Sequence, residues 1–264
     1  ITEKNPKEKP YHLILLAENN EGYKNLLKLT TIAHLEGFYY KPRIDWATLK
    51  KYSKGLIAST ACLGGPLARH IRAGQNIKVE ENIKILLDIF GHDNLFLEMQ
   101  NLNNDAQKIV NEEYKKLSKQ HNIPLIITND VHYVKAEDDN AQDVLLCIQT
   151  KQKQKDENRM NYLGEDYSMI EESKTLELFG PEAQEAIDNT AKIAERCNVA
   201  IELGVIQLPD YQLPDNINAD QELHRLCIEG VAKRYNFEAK DIPQHIQERL
   251  DYELGIITKT GYAT

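Results

Sequence analysis

The sequence has few cysteines, no long apolar run and no excess of basic charge. Its longest apolar stretches, such as Leu13–Ala17, are far shorter than the ~20 residues that cross a bilayer, so no membrane contact is expected. A net charge of −9 over 264 residues excludes attraction of the whole chain to nucleic acid, and any DNA contact needs a local basic patch. Walker, GxGxxG and GxSxG motifs are absent.

The number and spacing of the cysteines indicate the redox state of the cellular compartment. The cysteines are far apart and form no CxxC pair, which argues against a disulfide framework or a zinc ribbon. A reducing cytoplasm is therefore the predicted location. The four positions are Cys62, Cys147, Cys197 and Cys227.

Short apolar runs alternate with helical patterns in the first 150 residues. The runs are continuous, which is typical of strands covered on both faces, as in a parallel sheet or a βα barrel. Barrel active sites lie at the carboxyl ends of the strands. The predicted strands are 12–17, 55–60, 95–99 and 124–128, and the predicted helices are 20–36, 66–73, 77–90, 105–120 and 137–149.

The pattern changes near residue 205. A helix is predicted over 181–196, a proline-containing linker over 207–218, and two helices without strands over 219–235 and 241–257. The change from strand–helix to helix–helix predicts two domains, 1–204 and 205–264.

Asp130 and His132 follow the fourth predicted strand. In an extended segment residues i and i+2 point to the same face, so a carboxylate and an imidazole would stand side by side as ligands for Zn²⁺, Mn²⁺ or Fe²⁺. The alternative is a turn, which Asn129-Asp130 favours, with His132 merely exposed.

Three further side chains lie at predicted strand ends. Cys62 follows the second strand and is either a thiolate ligand or a small buried apolar residue. His12 opens the first strand and is either a ligand or a hydrogen-bonded core histidine. Glu98 ends the third strand, where it is either a partner of a metal ligand or a capping or solvated carboxylate.

A loop that combines aromatic and basic residues follows the first helix. It contains Tyr39, Tyr40, Lys41 and Arg43. Lys41 and Arg43 are candidates for a phosphate contact on a nucleotide strand. The alternative is a solvated loop held by stacking.

Several long segments together resemble the amino-terminal PHP (polymerase and histidinol phosphatase) domain of bacterial DNA polymerase III alpha subunits. Their order and spacing both match, over essentially the whole chain. The segments are HLILLAENNEGYKNLLKLTTIAHLEGFYYKPRID, GLIASTACLGGPLARHI, PLIITNDVHY, DVLLCIQT and AIDNTAKIAERCNVAIELG.

The resemblance implies an α/β fold, a distorted (β/α)7 barrel carrying up to three metal ions, here Zn²⁺ or Mn²⁺. It also implies that 1–204 is the PHP domain without its first strands and that 205–264 is a linker and the helical start of the polymerase palm. Other family ligands, in an HxH…D motif, a following histidine and a glutamate, have no match here. The family's ligands fall on His12, Cys62, Asp130 and His132.

The resemblance further implies DNA-directed DNA polymerase activity, with Mg²⁺ held by palm aspartates that this stretch lacks. Ile1 at the start and the absence of a terminating signal predict an internal fragment. The absent palm and the incomplete ligand cluster predict that this fragment is inactive alone. Within the whole protein the barrel either hydrolyses phosphoesters, as in 3′–5′ proofreading or pyrophosphate removal, or acts as a scaffold. Expected partners are primer-template DNA, deoxynucleoside triphosphates, a proofreading exonuclease subunit and the sliding clamp. The alternative is a free-standing PHP-type metallo-phosphoesterase.

Overall fold

The computed structural model describes residues 9–102, 104–206, 211–236, 238 and 241–263. It contains two compact units, Ile1–Ile201 and Glu202–Thr264. The strands of the first unit are β1 (Ile14–Ala17), β2 (Leu56–Ser59), β3 (Leu95–Gln100) and β4 (Leu125–Thr128). Its helices are α1 (Asn20–Leu35), α2 (Trp46–Lys51), α3 (Ala68–Arg72), α4 (Asn76–Phe90), α5 (Asp105–His121), α6 (Asp139–Thr150), α7 (Glu172–Phe179) and α8 (Gln184–Arg196), with short 3₁₀ turns at Ala136–Asp138 and Pro181–Ala183.

The strands form one sheet in the order β1-β2-β3-β4. β2, β3 and β4 are parallel, as the repeated strand–helix pattern predicts. Among the described residues β1 and β4 lie at the two edges of the sheet, so this part of the chain has a mixed α/β fold with a four-stranded sheet.

β1 departs from the parallel prediction, because it pairs antiparallel with β2. The reason is the connection: α1 carries the chain away from β1, and the segment containing α2, which the sequence analysis did not predict, brings it back. The return is close, since the Glu18 N–H donates to the Gly55 carbonyl at 2.9 Å. β2 therefore begins beside the end of β1 and runs in the opposite direction.

The two faces of the sheet differ in polarity. One face is apolar along its whole length and packs against the helices as the main core; it includes Leu56, Ala58, Leu95, Leu97, Met99 and Ile127. On the other face, only the first residue that each parallel strand contributes to that face is apolar. These three residues, Ile57, Phe96 and Ile126, form a small cluster with Ile193 of α8. The later residues on that face are polar or small.

The second unit contains α9 (Ala219–Tyr235) and α10 (Gln244–Thr260). The Asn218 side chain accepts from the Gln221 N–H, and the Gln221 side chain accepts from the Asn218 N–H, so α9 begins with a capping box. The predicted linker includes residues 207–210, which lie outside the described residues. No helix in the described part of the chain is long and apolar enough to cross a membrane.

Candidate metal centre

The polar face of the sheet ends in a cleft at the carboxyl ends of the parallel strands. Alternate residues of a strand share a face. On this face, each parallel strand contributes an apolar residue first and then polar or small residues toward its carboxyl end. The cleft has a volume of about 260 Å³. Its lining residues are His12, Ile14, Ser59, Ala61, Cys62, Glu98, Gln100, Thr128 and Asp130.

Glu98 forms the floor of this cleft and is 6% exposed. Ser59 on β2 donates to its Oε2, and Thr128 on β4 donates to its Oε1 at 2.7 Å. The carboxylate therefore joins both neighbouring strands, and the donated hydrogen bonds offset part of the cost of burying its charge. Of the two roles left open from the sequence, capping or solvation is wrong, because the side chain is buried and faces the cleft.

The loop after β2 brings Cys62 beside His12. Ala61 has a positive φ of 57°, which turns the chain at the strand end. The His12 N–H donates to the Gly64 carbonyl at 3.1 Å, and this bond fixes the chain before β1 against the loop. The His12 Nδ1 lies 3.3 Å from the Cys62 Sγ.

The distance between these two atoms can be compared with the ligand spacing that a metal ion requires. With Zn–S of ~2.3 Å and Zn–N of ~2.1 Å, neighbouring ligands of a tetrahedral site lie about 3.5 Å apart. The His12–Cys62 distance of 3.3 Å matches that spacing, and sulfur with imidazole nitrogen is a donor set that suits zinc. Among the residues that the structure describes, no three His, Cys, Asp or Glu side chains are close enough to hold one ion.

Asp130 lines the cleft, whereas His132 is not among its lining residues. The strand ends at Thr128, and Asp130 has a positive φ of 49°, so the segment is a turn and not the extended pair expected from the spacing. The His132 Nδ1 donates to the Asp130 carbonyl at 2.6 Å. Because a carbonyl oxygen only accepts, Nδ1 carries the proton in this contact.

An aromatic cluster surrounds the His132 ring. Its centroid lies 4.2 Å from that of Tyr162 and 5.2 Å from that of Tyr167. Burial, and then the negative charge of Asp130, raise the pKa of Tyr162. Burial also raises the pKa of Tyr167. Both phenols therefore stay neutral at physiological pH and contribute apolar contact to the histidine.

The tyrosines belong to the 151–171 loop, which is fixed at two places. Near its start, Arg159 donates to both carboxylate oxygens of Asp143 on α6, at 2.5 and 2.8 Å. Near its end, the His132 N–H donates to the Tyr167 carbonyl at 2.9 Å. The hydrogen bonds from Arg159 hold the pKa of Asp143 below its usual range. The loop thus holds His132 in its present position.

The basic loop after α1 is partly used for internal contacts. The Arg43 guanidinium stacks on the Tyr39 ring at 5.0 Å, and its Nε donates to the Gly37 carbonyl at 3.4 Å. These contacts support the stacked-loop alternative for Arg43. Lys41 is exposed, and a phosphate contact by these two residues stays a prediction.

The sequence analysis missed Gln100, a lining residue that is 3% exposed. Its Oε1 is buried and has no hydrogen-bond partner within the described ranges. One signal was available: Gln100 follows Glu98 by two residues on the same strand, so the two share a face.

Known proteins resemble this chain in two ways. The PHP domain family matches residues 2–102. The DNA polymerase III subunit alpha of Borreliella burgdorferi is 43% identical over 254 residues, 96% of this chain and 22% of that protein. The subunits of Treponema pallidum and Aquifex aeolicus are 38% and 36% identical over 96% of the chain, which covers 21% and 22% of their lengths.

The fold, the cleft and the family match define a protein with a PHP domain. Over 96% of its own length the chain is similar to bacterial DNA polymerase III alpha subunits, as the resemblance predicts, and it spans about a fifth of the length of the relatives that it matches.

Proposed function

We propose that the cleft binds a divalent metal ion, Zn²⁺ or Mn²⁺, as part of a replicative DNA polymerase III alpha subunit. The observation that carries this proposal is the 3.3 Å contact between His12 Nδ1 and Cys62 Sγ, at the mouth of a cleft that Asp130 also lines. Sulfur and imidazole nitrogen donors are in contact there, and the Asp130 carboxylate belongs to the same cleft.

His132 completes the proposed ligand set through a rotation of its ring. Its Nδ1 proton is fixed by the Asp130 carbonyl, which is the arrangement that prepares the Nε2 of a histidine for a metal. In the present geometry the ring packs on Tyr162. Binding therefore requires the 151–171 loop to let the imidazole leave Tyr162 and move toward the cleft while Nδ1 keeps its bond to the Asp130 carbonyl.

A bound divalent ion would supply an activated water and neutralise phosphate charge, which suits hydrolysis of a phosphoester. The protein's own groups do the rest. His12 and Cys62 position the ion, Glu98 keeps the floor of the cleft anionic, and exposed Lys41 is available to a phosphate. The proposed reaction is removal of a 3′ nucleotide from DNA or cleavage of pyrophosphate.

The barrel is part of the same proposal. β1 and β4 are edge strands within the described residues, and strands contributed by a longer chain would pair with them and close a distorted (β/α)7 barrel. In this proposal 1–204 is the PHP domain, and 205–264 leads to the palm.

The whole protein is proposed to extend a DNA primer with deoxynucleoside triphosphates, using Mg²⁺ in the palm. The match to polymerase subunits extends over 96% of the chain. A free-standing metallo-phosphoesterase does not explain why residues beyond the sheet, including the helical segment, align with polymerases. Proofreading exonuclease and sliding clamp are the proposed protein partners.

Cobalt substitution in the intact polypeptide that contains this chain tests the proposal. Co²⁺ bound by a thiolate gives a near-ultraviolet charge-transfer band, which reports only on a site that uses cysteine. We expect the band in the wild type, its loss in Cys62→Ser and its retention in Cys227→Ser, the matched control. A wild type without the band contradicts metal binding at this cleft.

A hydrolysis assay separates the enzymatic role from the scaffold role. The metal-loaded protein is incubated with a 3′-labelled DNA strand and with pyrophosphate, in the absence of any exonuclease subunit. Hydrolysis that disappears in Asp130→Asn supports the catalytic role. A cobalt band without hydrolysis favours a metal-stabilised scaffold.

A further inference from the structure

The unpaired oxygen of Gln100 is the feature of the cleft that the proposed ligand set does not explain. The side chain is 3% exposed, and its Oε1 has no hydrogen-bond partner among the described residues. A buried acceptor without a donor opposes folding, and such groups are rare in folded proteins. A partner that binds in the cleft would account for it.

The backbone holds this side chain toward the cleft. Gln100 is the last residue of β3, and on both sides its main chain bonds to Asn111 of α5: its N–H donates to Oδ1 at 3.3 Å, and its carbonyl accepts from Nδ2 at 2.8 Å. Strand alternation places its side chain on the face of Glu98. The main chain of Gln100 is therefore fixed, and the residue lines the cleft.

Two hydroxyl donors that line the cleft are already committed. The hydroxyl of Thr128, whose Cα is paired with that of Gln100, donates to Glu98, as does the hydroxyl of Ser59. Asp130, across the cleft, offers carboxylate oxygens that only accept. A ligand in the cleft that carries an O–H or N–H donor would therefore account for the unpaired oxygen of Gln100.

We propose that Gln100 Oε1 accepts a hydrogen bond from a water molecule bound to the cation, and that Gln100 is thereby a positioning residue of the metal centre. The inference rests on the proposed metal site. A water on a divalent ion is a strong donor because the cation withdraws electron density from its O–H bonds. A neutral amide oxygen orients this water without adding a second anion beside Glu98.

The test is a Co²⁺ titration of the intact polypeptide, followed by the thiolate-to-cobalt band. In Gln100→Met, which keeps the side-chain length and removes the acceptor, the affinity should fall about 10-fold at unchanged stoichiometry. Gln100→Glu keeps an acceptor oxygen at the same position but adds a charge beside Glu98, so it should lose less affinity than Gln100→Met. Removing an unpaired acceptor should leave the melting temperature of the metal-free protein unchanged or raised.

Gln107 provides the matched control. It is 1% exposed, and its Oε1 also lacks a partner in the described part of the chain, but it is not among the cleft-lining residues. Because Gln107 Nε2 donates to the Asn111 Oδ1 that also accepts from the Gln100 N–H, Gln107→Met tests the backbone support without removing the Gln100 acceptor, and cobalt affinity should stay unchanged.

The outcomes separate the two proposals. Wild-type affinity in Gln100→Met, equal losses in Gln100→Met and Gln100→Glu, or an equal loss in Gln107→Met overturns the role of Gln100 and leaves the metal site standing. Absence of the band in the wild type overturns the metal site itself, and with it the role of Gln100.

Discussion

The ends of β2 and β4 are both followed by metal-type side chains, but different contacts hold these side chains in place. Each strand is followed by a non-glycine residue with positive φ, Ala61 at 57° and Asp130 at 49°, and then by a metal-type side chain. After β2, close backbone packing sets Cys62 beside His12. After β4, the position of His132 depends on a separate loop. The part of the candidate site after β2 is therefore its preformed half, and the part after β4 is its adjustable half.

The largest expected effect comes from breaking the preformed half at Gly65. A Cβ at this position would lie 2.0 Å from the Thr60 carbonyl oxygen, a backbone atom that cannot move without shifting β2. Gly65→Ala should lower the free energy of unfolding by about 3 kcal/mol or more. Denaturant unfolding measures this change, and cobalt binding should be lost with it.

Gly64→Ala is the control for this variant. Its Cβ would meet the Cys62 Sγ at 3.7 Å and the His12 Cβ at 3.8 Å, which are ordinary contacts. Its unfolding free energy should stay within about 0.5 kcal/mol of wild type. Equal destabilisation of the two variants would contradict the close-packing explanation of the loop.

Glu98 connects the two halves, and the next prediction concerns its two hydroxyl donors. Thr128→Val preserves shape and removes one donor to a buried carboxylate, so it should lower the free energy of unfolding by about 2 kcal/mol. Thr128→Ser keeps the donor and should lose much less. Denaturant unfolding at neutral pH measures both, and equal losses would mean that packing, rather than the hydrogen bond, holds Glu98.

Ser59→Ala probes the same carboxylate from the side of β2. If Glu98 joins the strands, the double variant Ser59→Ala/Thr128→Val should lose a different amount from the sum of the single changes, because both act on one group. Strict additivity would contradict a shared role.

Local features were predictable from the sequence, and long-range ones were not. α9 was predicted at its observed bounds, and the structure shows that a local feature, the capping box of Asn218 with Gln221, begins it. The direction of β1 was wrong because it depends on the return of the chain to Gly55. The convergence of His12 and Cys62 at one cleft came from family resemblance, since neither residue is distinctive by itself.

The geometry at Asp130 shows why spacing alone misled. Alternation assumes extended backbone, and one residue in the left-handed region cancels it. The turn chemistry of Asn129-Asp130 was the competing signal. The two-residue spacing from Glu98 places Gln100 on the same face, but its role depends on the hydrogen-bond partners of its neighbours, which the sequence does not give.

The adjustable half depends on Arg159 and Asp143, which anchor the 151–171 loop. Arg159→Leu should release the loop and expose it, because Asp143 loses its bidentate partner. We expect proteolysis within 151–171 to accelerate about 10-fold while global unfolding changes less. Lys174→Ala, which removes an exposed ion pair with Glu177, is the control and should cleave at the wild-type rate.

The smallest effect is a pH dependence of the same anchor. Because the folded pKa of Asp143 lies below its usual value, its contribution is fully present above pH ~4, the unfolded pKa, and is lost as the pH falls through the folded pKa. Pepsin cleavage within 151–171 should therefore rise as the pH falls below ~4, beyond the change in pepsin's own activity. Asp143→Asn lacks the titrating group, so its corrected cleavage rate should be raised at all pH values and should lack this step. The same step in Asp143→Asn would show that other carboxylates anchor the loop, and His132 would then be held by contacts other than the Arg159 pair.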